Sequence, residues 1–156
     1  MDSVGIEALT MRGLAGAMGI APMTLYRHVP DKHSLLALLP DALLADVARE
    51  ACRKRRALPA LRAIAYGLAD VLQEHPGSAA LFTQPESGPH MRHAAEHVTG
   101  LLVAEGLTPD QANVALRATV AQAVGEVLTM HGAVDLGGVD LLLEGVQARL
   151  TSGKAP

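Results

Sequence analysis

Tryptophan is missing from this chain, and Tyr26, Tyr66 and Phe82 are its whole aromatic complement, 2% of the residues. Since 49% of the residues are hydrophobic, packing falls mainly to alanine and leucine. Both lose little rotamer freedom in a helix and rank high in helix propensity. β-branched residues form no alternating runs, which argues against a sheet protein. Cysteine is nearly absent too. The single Cys52 excludes an internal disulfide framework and suits a reducing compartment. No uncharged stretch approaches the roughly 18 apolar residues of a membrane span. Met1-Asp2 opens no positively charged leader segment, so no signal peptide is expected. The expectation is a soluble, cytoplasmic chain of one domain or two small ones.

Net charge is small, −3, which by itself argues against a general nucleic-acid binder. Its distribution is uneven. Residues 1–60 carry eight Lys/Arg against six Asp/Glu, and residues 61–156 carry five against ten. A mildly basic front and an acidic back is the pattern expected when only the front meets a polyanion, with chance asymmetry as the plain alternative.

Glycine and proline divide the chain into helical pieces. Thr10 can cap a helix from Met11 to Met18, which Gly19 ends. Pro22 opens a second, running to about Val29. Asp31 can cap a third from Lys32 towards Lys54, with Pro40 expected to kink or split it. Pro59 starts a helix to about Glu74. A short helix over Ala79–Phe82 and a loop over Thr83–Pro89 follow. Pro89 opens a helix through Glu105, and Thr108-Pro109-Asp110-Gln111 is a strong start for one reaching about Met130. The last covers about Val139 to Leu150, with Val139, Leu142, Leu143, Val146 and Leu150 on one stripe.

Leu9 to Val29 reads as two short helices joined by a tight turn. Ala15 is small enough for a close helix approach, and Gly19 suits a turn position needing positive φ. Leu14, Met18, Ile20 and Leu25 are the expected contacts between the helices. The second helix then turns Pro22, Met23, Thr24, Tyr26, Arg27 and His28 to solvent. Such a cluster makes a poor core and a good reader of a DNA groove. Arg27 can reach a guanine edge, Thr24 and Tyr26 can bond phosphates, and Met23 can touch a thymine methyl. Lys32, at the start of the next helix, can hold a phosphate together with free N–H groups. An ordinary helical hairpin with polar surface residues is the bland alternative.

The run V-G-I-E-A-L-T-M-R-G-L-A-G-A-M-G-I-A-P-M-T-L-Y-R-H-V-P-D-K-H-S-L-L, Val4 to Leu36, resembles the DNA-binding domain of TetR-family repressors, and its L-Y-x-H-V-x-x-K core is the most specific part. H-P-x-x-x-x-L-F at His75–Phe82 and V-D-L-L-L-E-G-V-Q-A-R-L at Val139–Leu150 resemble the tetracycline-repressor-like C-terminal domain. The resemblance implies an all-α protein: a helix-turn-helix DNA-binding domain over residues 1–47, then a helical effector-binding and dimerisation domain over 48–156. It places DNA contacts on Arg12, Pro22, Met23, Thr24, Tyr26, Arg27, His28 and Lys32. It also implies a homodimer, a two-fold symmetric double-stranded DNA operator and an unidentified small-molecule effector, with no cofactor, no membrane partner and no catalytic activity. Ligand-pocket candidates are Tyr66, Phe82, His93, His97 and Met130. Two departures bear on this. Family members carry an amphipathic first helix of some twenty residues ahead of the equivalent of Val4, and residues 1–3 leave no room for it. The expectation is therefore a truncated chain or a misassigned start, and the alternative function is a dimeric ligand-binding module that no longer binds DNA. In tetracycline repressors a histidine holds the drug's magnesium. Phe82 aligns with it, so tetracycline–magnesium is not the expected effector.

His90, His93 and His97 share a helix face at i, i+3 and i+7. That spacing suits a metal site, pocket-lining polar groups or a solvated face. Ser78, Ser87 and Ser152 lack a G-x-S-x-G context, and Gly132, Gly137 and Gly138 do not follow a strand, so neither a hydrolase triad nor a dinucleotide loop is expected. Cys52 reads as an inert thiol facing Ala48 and Leu44. Ala112, Leu116, Val120, Val124 and Leu128, with the Val139–Leu150 stripe, place apolar residues on more than one face, as a four-helix dimer interface requires.

Overall fold

The computed structural model describes residues 8–76, 78, 88–129 and 135–152. Among these residues there are eight helices and no strand: α1 Met11–Ala17, α2 Pro22–His28, α3 Lys32–Leu43, α4 Ala45–Arg53, α5 Ala57–Glu74, α6 Pro89–Ala104, α7 Pro109–Thr129 and α8 Gly137–Ser152. The all-α expectation holds. Local side-chain capping explains the starts of α1, α3 and α7. Asp31 Oδ1 accepts from the Ser34 amide at 2.7 Å and begins α3. Thr108 and Gln111 cap α7 reciprocally, Gln111 Oε1 taking the Thr108 amide at 3.0 Å and Thr108 Oγ1 the Gln111 amide at 3.3 Å;.

Two boundaries differ from expectation. The helix foreseen over Lys32–Lys54 is divided, but at Leu44 and not at Pro40. Pro40 lacks the amide that would reach back to Leu36 and strains that turn, yet the helix continues past it. Leu44 is where the chain leaves helical geometry (φ −94, ψ 3), held by burial against Val47, Leu68 and Leu72. Helix α5 begins at Ala57, two residues before Pro59. Pro59 thus falls in the first turn, where amides have no intrahelical acceptor and none is missed. The short helix foreseen over Ala79–Phe82 lies outside the described residues.

Helix α5 is the hub. Ala57, Ala60, Leu61, Ile64, Ala65, Leu68, Ala69 and Leu72 are all buried, and α4, α6, α7 and α8 all pack on it. Burial of side chains such as Leu61, Ile64 and Leu72 contributes about 1.5–3 kcal/mol each. A separate cluster of Met11, Ala15, Leu25 and Val29, flanked by Leu14, Ile20 and Leu35, holds α1, α2 and the start of α3 together. Cys52 is half-buried beside the main core.

Helices α5 and α6 have no side-chain cap of their own, because Arg56 and Gly88 stand at their N-cap positions. Both are capped from elsewhere in the fold. Glu105, just past α6, accepts from the Ala57 amide at 2.8 Å and from Arg56 Nε at 3.1 Å. Asp41, on α3, accepts from the His90 amide at 3.0 Å and the Met91 amide at 3.3 Å through Oδ1.

Candidate nucleic-acid interface

Thr10 Oγ1 accepts from the Gly13 amide at 3.1 Å and starts α1. The helix ends in a paired turn: the Ile20 amide reaches the Ala15 carbonyl at 3.0 Å and the Gly19 amide the Gly16 carbonyl at 3.1 Å. Gly19 occupies the left-handed position, φ +66, which a side chain resists. Pro22 then takes the first position of α2, where a missing amide is harmless. Leu25 and Val29 face inward on Met11 and Ala15. Of the four contacts expected between the two helices, Leu25 is buried and Leu14 and Ile20 are half-buried. Met18 is not a contact: it is 57% exposed, because α1 has ended at Ala17 and the chain turns away at Gly19.

Anchoring Leu25 and Val29 leaves the other side of α2 in solvent. Pro22, Met23, Thr24, Tyr26, Arg27 and His28 are all exposed, Met23 to 73% and Tyr26 to 42%. Arg27 and His28 fall in the last turn, where positive charge suits the helix dipole. Arg12 is exposed on α1, and Lys32 is half-buried at the first position of α3. The eight residues singled out for DNA contact thus occupy three successive short helices bound by one small apolar cluster.

The C-terminal candidates are more dispersed. Tyr66, on α5, donates its hydroxyl to Asp140 on α8 at 3.0–3.1 Å. Arg62 pairs with the same carboxylate at 3.0 Å and lies 5.5 Å from the Tyr66 ring centre. Burial, then the hydrogen bond to Asp140, pushes the Tyr66 phenol above its ordinary value. His97 Nε2 meets the Lys54 carbonyl at 2.9 Å, His90 Nδ1 meets Asp41 Oδ2 at 2.6 Å, and His93 is exposed. His90 and His97 therefore turn to different partners and His93 to solvent, and among the described residues no group of three His, Cys, Asp or Glu side chains could hold a metal. Phe82 and Met130 lie outside the described residues. A surface cavity of about 420 Å³ is lined by Gly106, Leu107, Gln111, Ala148, Arg149 and Ser152, none of them a pocket candidate. Among the described residues no helix is long and apolar enough to cross a membrane. The reading of the sequence missed Asp41 and Asp140. The available signal for Asp41 was a lone carboxylate inside the apolar run Leu38–Leu44.

No family model matches the chain, but individual proteins do. It is 31% identical over 148 residues to the tetracycline repressor protein class G of Vibrio anguillarum, across 85% of this chain. A 45-residue stretch is 47% identical to the class E repressor of Escherichia coli. A solved point variant of the TetR of Acinetobacter baumannii AYE, in complex with minocycline, superimposes with a TM-score of 0.72 at 25% identity, over 97% of this chain and 88% of that one. In sequence and in fold the chain is similar to TetR-family repressors. A possible TetR-family regulator from Streptomyces coelicolor A3(2) shares the fold with a TM-score of 0.75 at 24% identity, covering 95% of this chain and 93% of that one. The two curated relatives are longer: this chain spans 64% of the class G repressor and 21% of the class E repressor. Both are named as tetracycline repressors.

Proposed function

We propose that this chain is a DNA-binding transcriptional regulator of the TetR family, a homodimeric cytoplasmic repressor released from its operator by a small-molecule effector. The observation that carries this is the solvent-facing side of α2. Six residues able to contact base edges or phosphates stand out on a helix whose opposite side is anchored by Leu25 and Val29. Met23, held 73% in solvent, is an apolar group waiting for a partner such as a thymine methyl. Arg27 is the principal base reader, with Thr24, Tyr26, Arg12, His28, Pro22 and Lys32 fixing the helix on the backbone.

We divide the chain into a DNA-binding unit over residues 1–47 and an effector and dimerisation unit over 48–156. The isolation of the α1–α2 cluster from the core around α5 supports the division. Dimerisation is supported by the outer face of α7, where exposed Val114 and Leu128 flank Ala118, Ala121 and Gly125 at helical spacing, and by Leu141 on α8, 70% exposed. Small residues between large ones let a partner helix approach closely. Tyr66, His93, His97, Phe82 and Met130 remain the proposed pocket residues. The minocycline bound to the Acinetobacter TetR supports a ligand-responsive reading of the C-terminal unit.

The test is a titration of the protein with duplexes selected from a random pool. Wild type should bind with an affinity that falls steeply as salt rises. Arg27→Ala should bind about 5- to 150-fold more weakly, the factor for losing a bidentate base contact, with only a small change in melting temperature because Arg27 is exposed. Equal binding by Arg27→Ala refutes the readout role. Absence of any salt-dependent DNA binding by wild type leaves the ligand-binding module in its place.

A further inference from the structure

We infer that Asp41 is a positioning residue that joins the DNA-binding helices to the first turn of α6, so that operator binding and order at the start of α6 are coupled. The inference rests on the DNA-binding reading above. Helix α3 is packed into the α1–α2 cluster through Leu35 and follows α2 after only three residues, so it moves with the recognition helix. Six residues beyond Leu35, Asp41 turns to a different part of the molecule. Its carboxylate is only 8% exposed as a residue and makes three contacts there: Oδ1 with the amides of His90 and Met91, and Oδ2 with His90 Nδ1 at 2.6 Å.

Those two amides are the second and third of α6, the pair an N-cap side chain ordinarily satisfies. Gly88 has no side chain to do so, and Pro89 has no amide to need it. A Cβ on Gly88 would overlap Asp41 Cβ and Cγ, so the glycine is also what lets α3 come close enough. The cap of α6 is therefore built from a helix that belongs mechanically to the DNA-binding unit. Separating α3 from α6 strips a buried carboxylate and two amides of their partners together. Such a joint has a docked and an undocked position with little between them, since partly satisfied buried polar groups are unfavourable. Whatever biases one side then biases the other, and the coupling is reciprocal.

Reciprocity allows a test that needs no effector. Amide hydrogen exchange at His90 and Met91 is measured in the full-length protein, with and without saturating selected operator duplex. In wild type the duplex should slow both amides roughly fivefold, the factor to which a typical cap free energy of about 1 kcal/mol converts. In Asp41→Ala the slowing should vanish and operator affinity should fall by a similar factor. Asp41→Asn keeps an acceptor oxygen for the amides and should restore most of the slowing, which a general loss of stability would not do. If Asp41→Ala fails to fold, His90→Ala provides the test, because it removes the ring contact but keeps both amides. The slowing at Met91 should then drop by about half, and an unchanged value overturns the inference. Undiminished slowing in Asp41→Ala overturns it too, as does wild type that binds operator with no slowing at either amide. Wild type that binds no duplex at all is a separate outcome: it removes the DNA-binding reading, and this inference with it.

Discussion

Replacement of Glu126 by methionine should stabilise the protein. Glu126 lies on the α7 stripe that faces inward with Ala112, Ala115, Thr119 and Ala123 and is 9% exposed. Its Oε1 accepts from Gln122 Nε2 at 2.9 Å. Its Oε2 is buried with no hydrogen-bond partner among the described residues. The start of α8 covers it closely enough that a Cβ on Gly138 would overlap Glu126 Oε1. An unsatisfied buried polar group costs about 1–3 kcal/mol, while one ordinary hydrogen bond returns about 0.5–1.5 kcal/mol. Methionine is unbranched, of similar length, and adaptable to an irregular site. Removing the penalty and forfeiting the Gln122 bond leaves a net gain of about 1 kcal/mol. For a chain of this size that raises Tm by roughly 2–4 °C. The assay is a thermal melt of wild type and Glu126→Met at matched protein concentration, since an oligomer's Tm depends on it. An unchanged or lower Tm would refute the reasoning. A rise would imply that the carboxylate is retained for something other than stability.

Gly16 of α1 and Gly19 of the turn after it should respond with opposite signs. Gly16→Ala meets open space inside a helix and should stabilise by about 0.4–1 kcal/mol. Gly19→Ala also meets open space, but at φ +66, and should destabilise by about 1–2 kcal/mol; denaturant titration with a probe on α2 reads both. Tyr66 should ionise above the ordinary tyrosine value of about 10. Its raised folded value means that its stabilising contribution is complete below the unfolded value and is lost as pH rises through the folded one. Ultraviolet titration in a Tyr26→Phe background isolates Tyr66, and Asp140→Ala should move its midpoint back towards the ordinary value. Arg27→Ala and Asp41→Ala complete the set, each read against the operator duplex as described above.

Nearly all of the helices could be read from the chain, because their signals act over three or four residues. Thr10, Gly19, Pro22, Asp31 and the Thr108–Gln111 pair each govern a boundary through a bond or a backbone constraint close by in sequence. The exposed face of α2 was legible for the same reason: once Leu25 and Val29 point inward, helical geometry alone sends Met23, Tyr26 and Arg27 outward. Pro40 misled because its local strain predicts a kink, whereas the position of the break depends on Leu44 finding Val47, Leu68 and Leu72. The histidines of α6 could be placed on one face but not assigned partners, since those partners sit on α3 and at the end of α4.

Short-range chemistry thus determined the helices, the turn and the family likeness. Tertiary packing alone decided which side chain satisfies which distant helix end. Asp41 caps α6 across 49 positions of sequence, and Glu105 caps α5 across 48. No local rule announces such a cap. The glycine at 88 and the arginine at 56 show only that something is missing there, and what supplies it depends on which helix the folded core brings alongside.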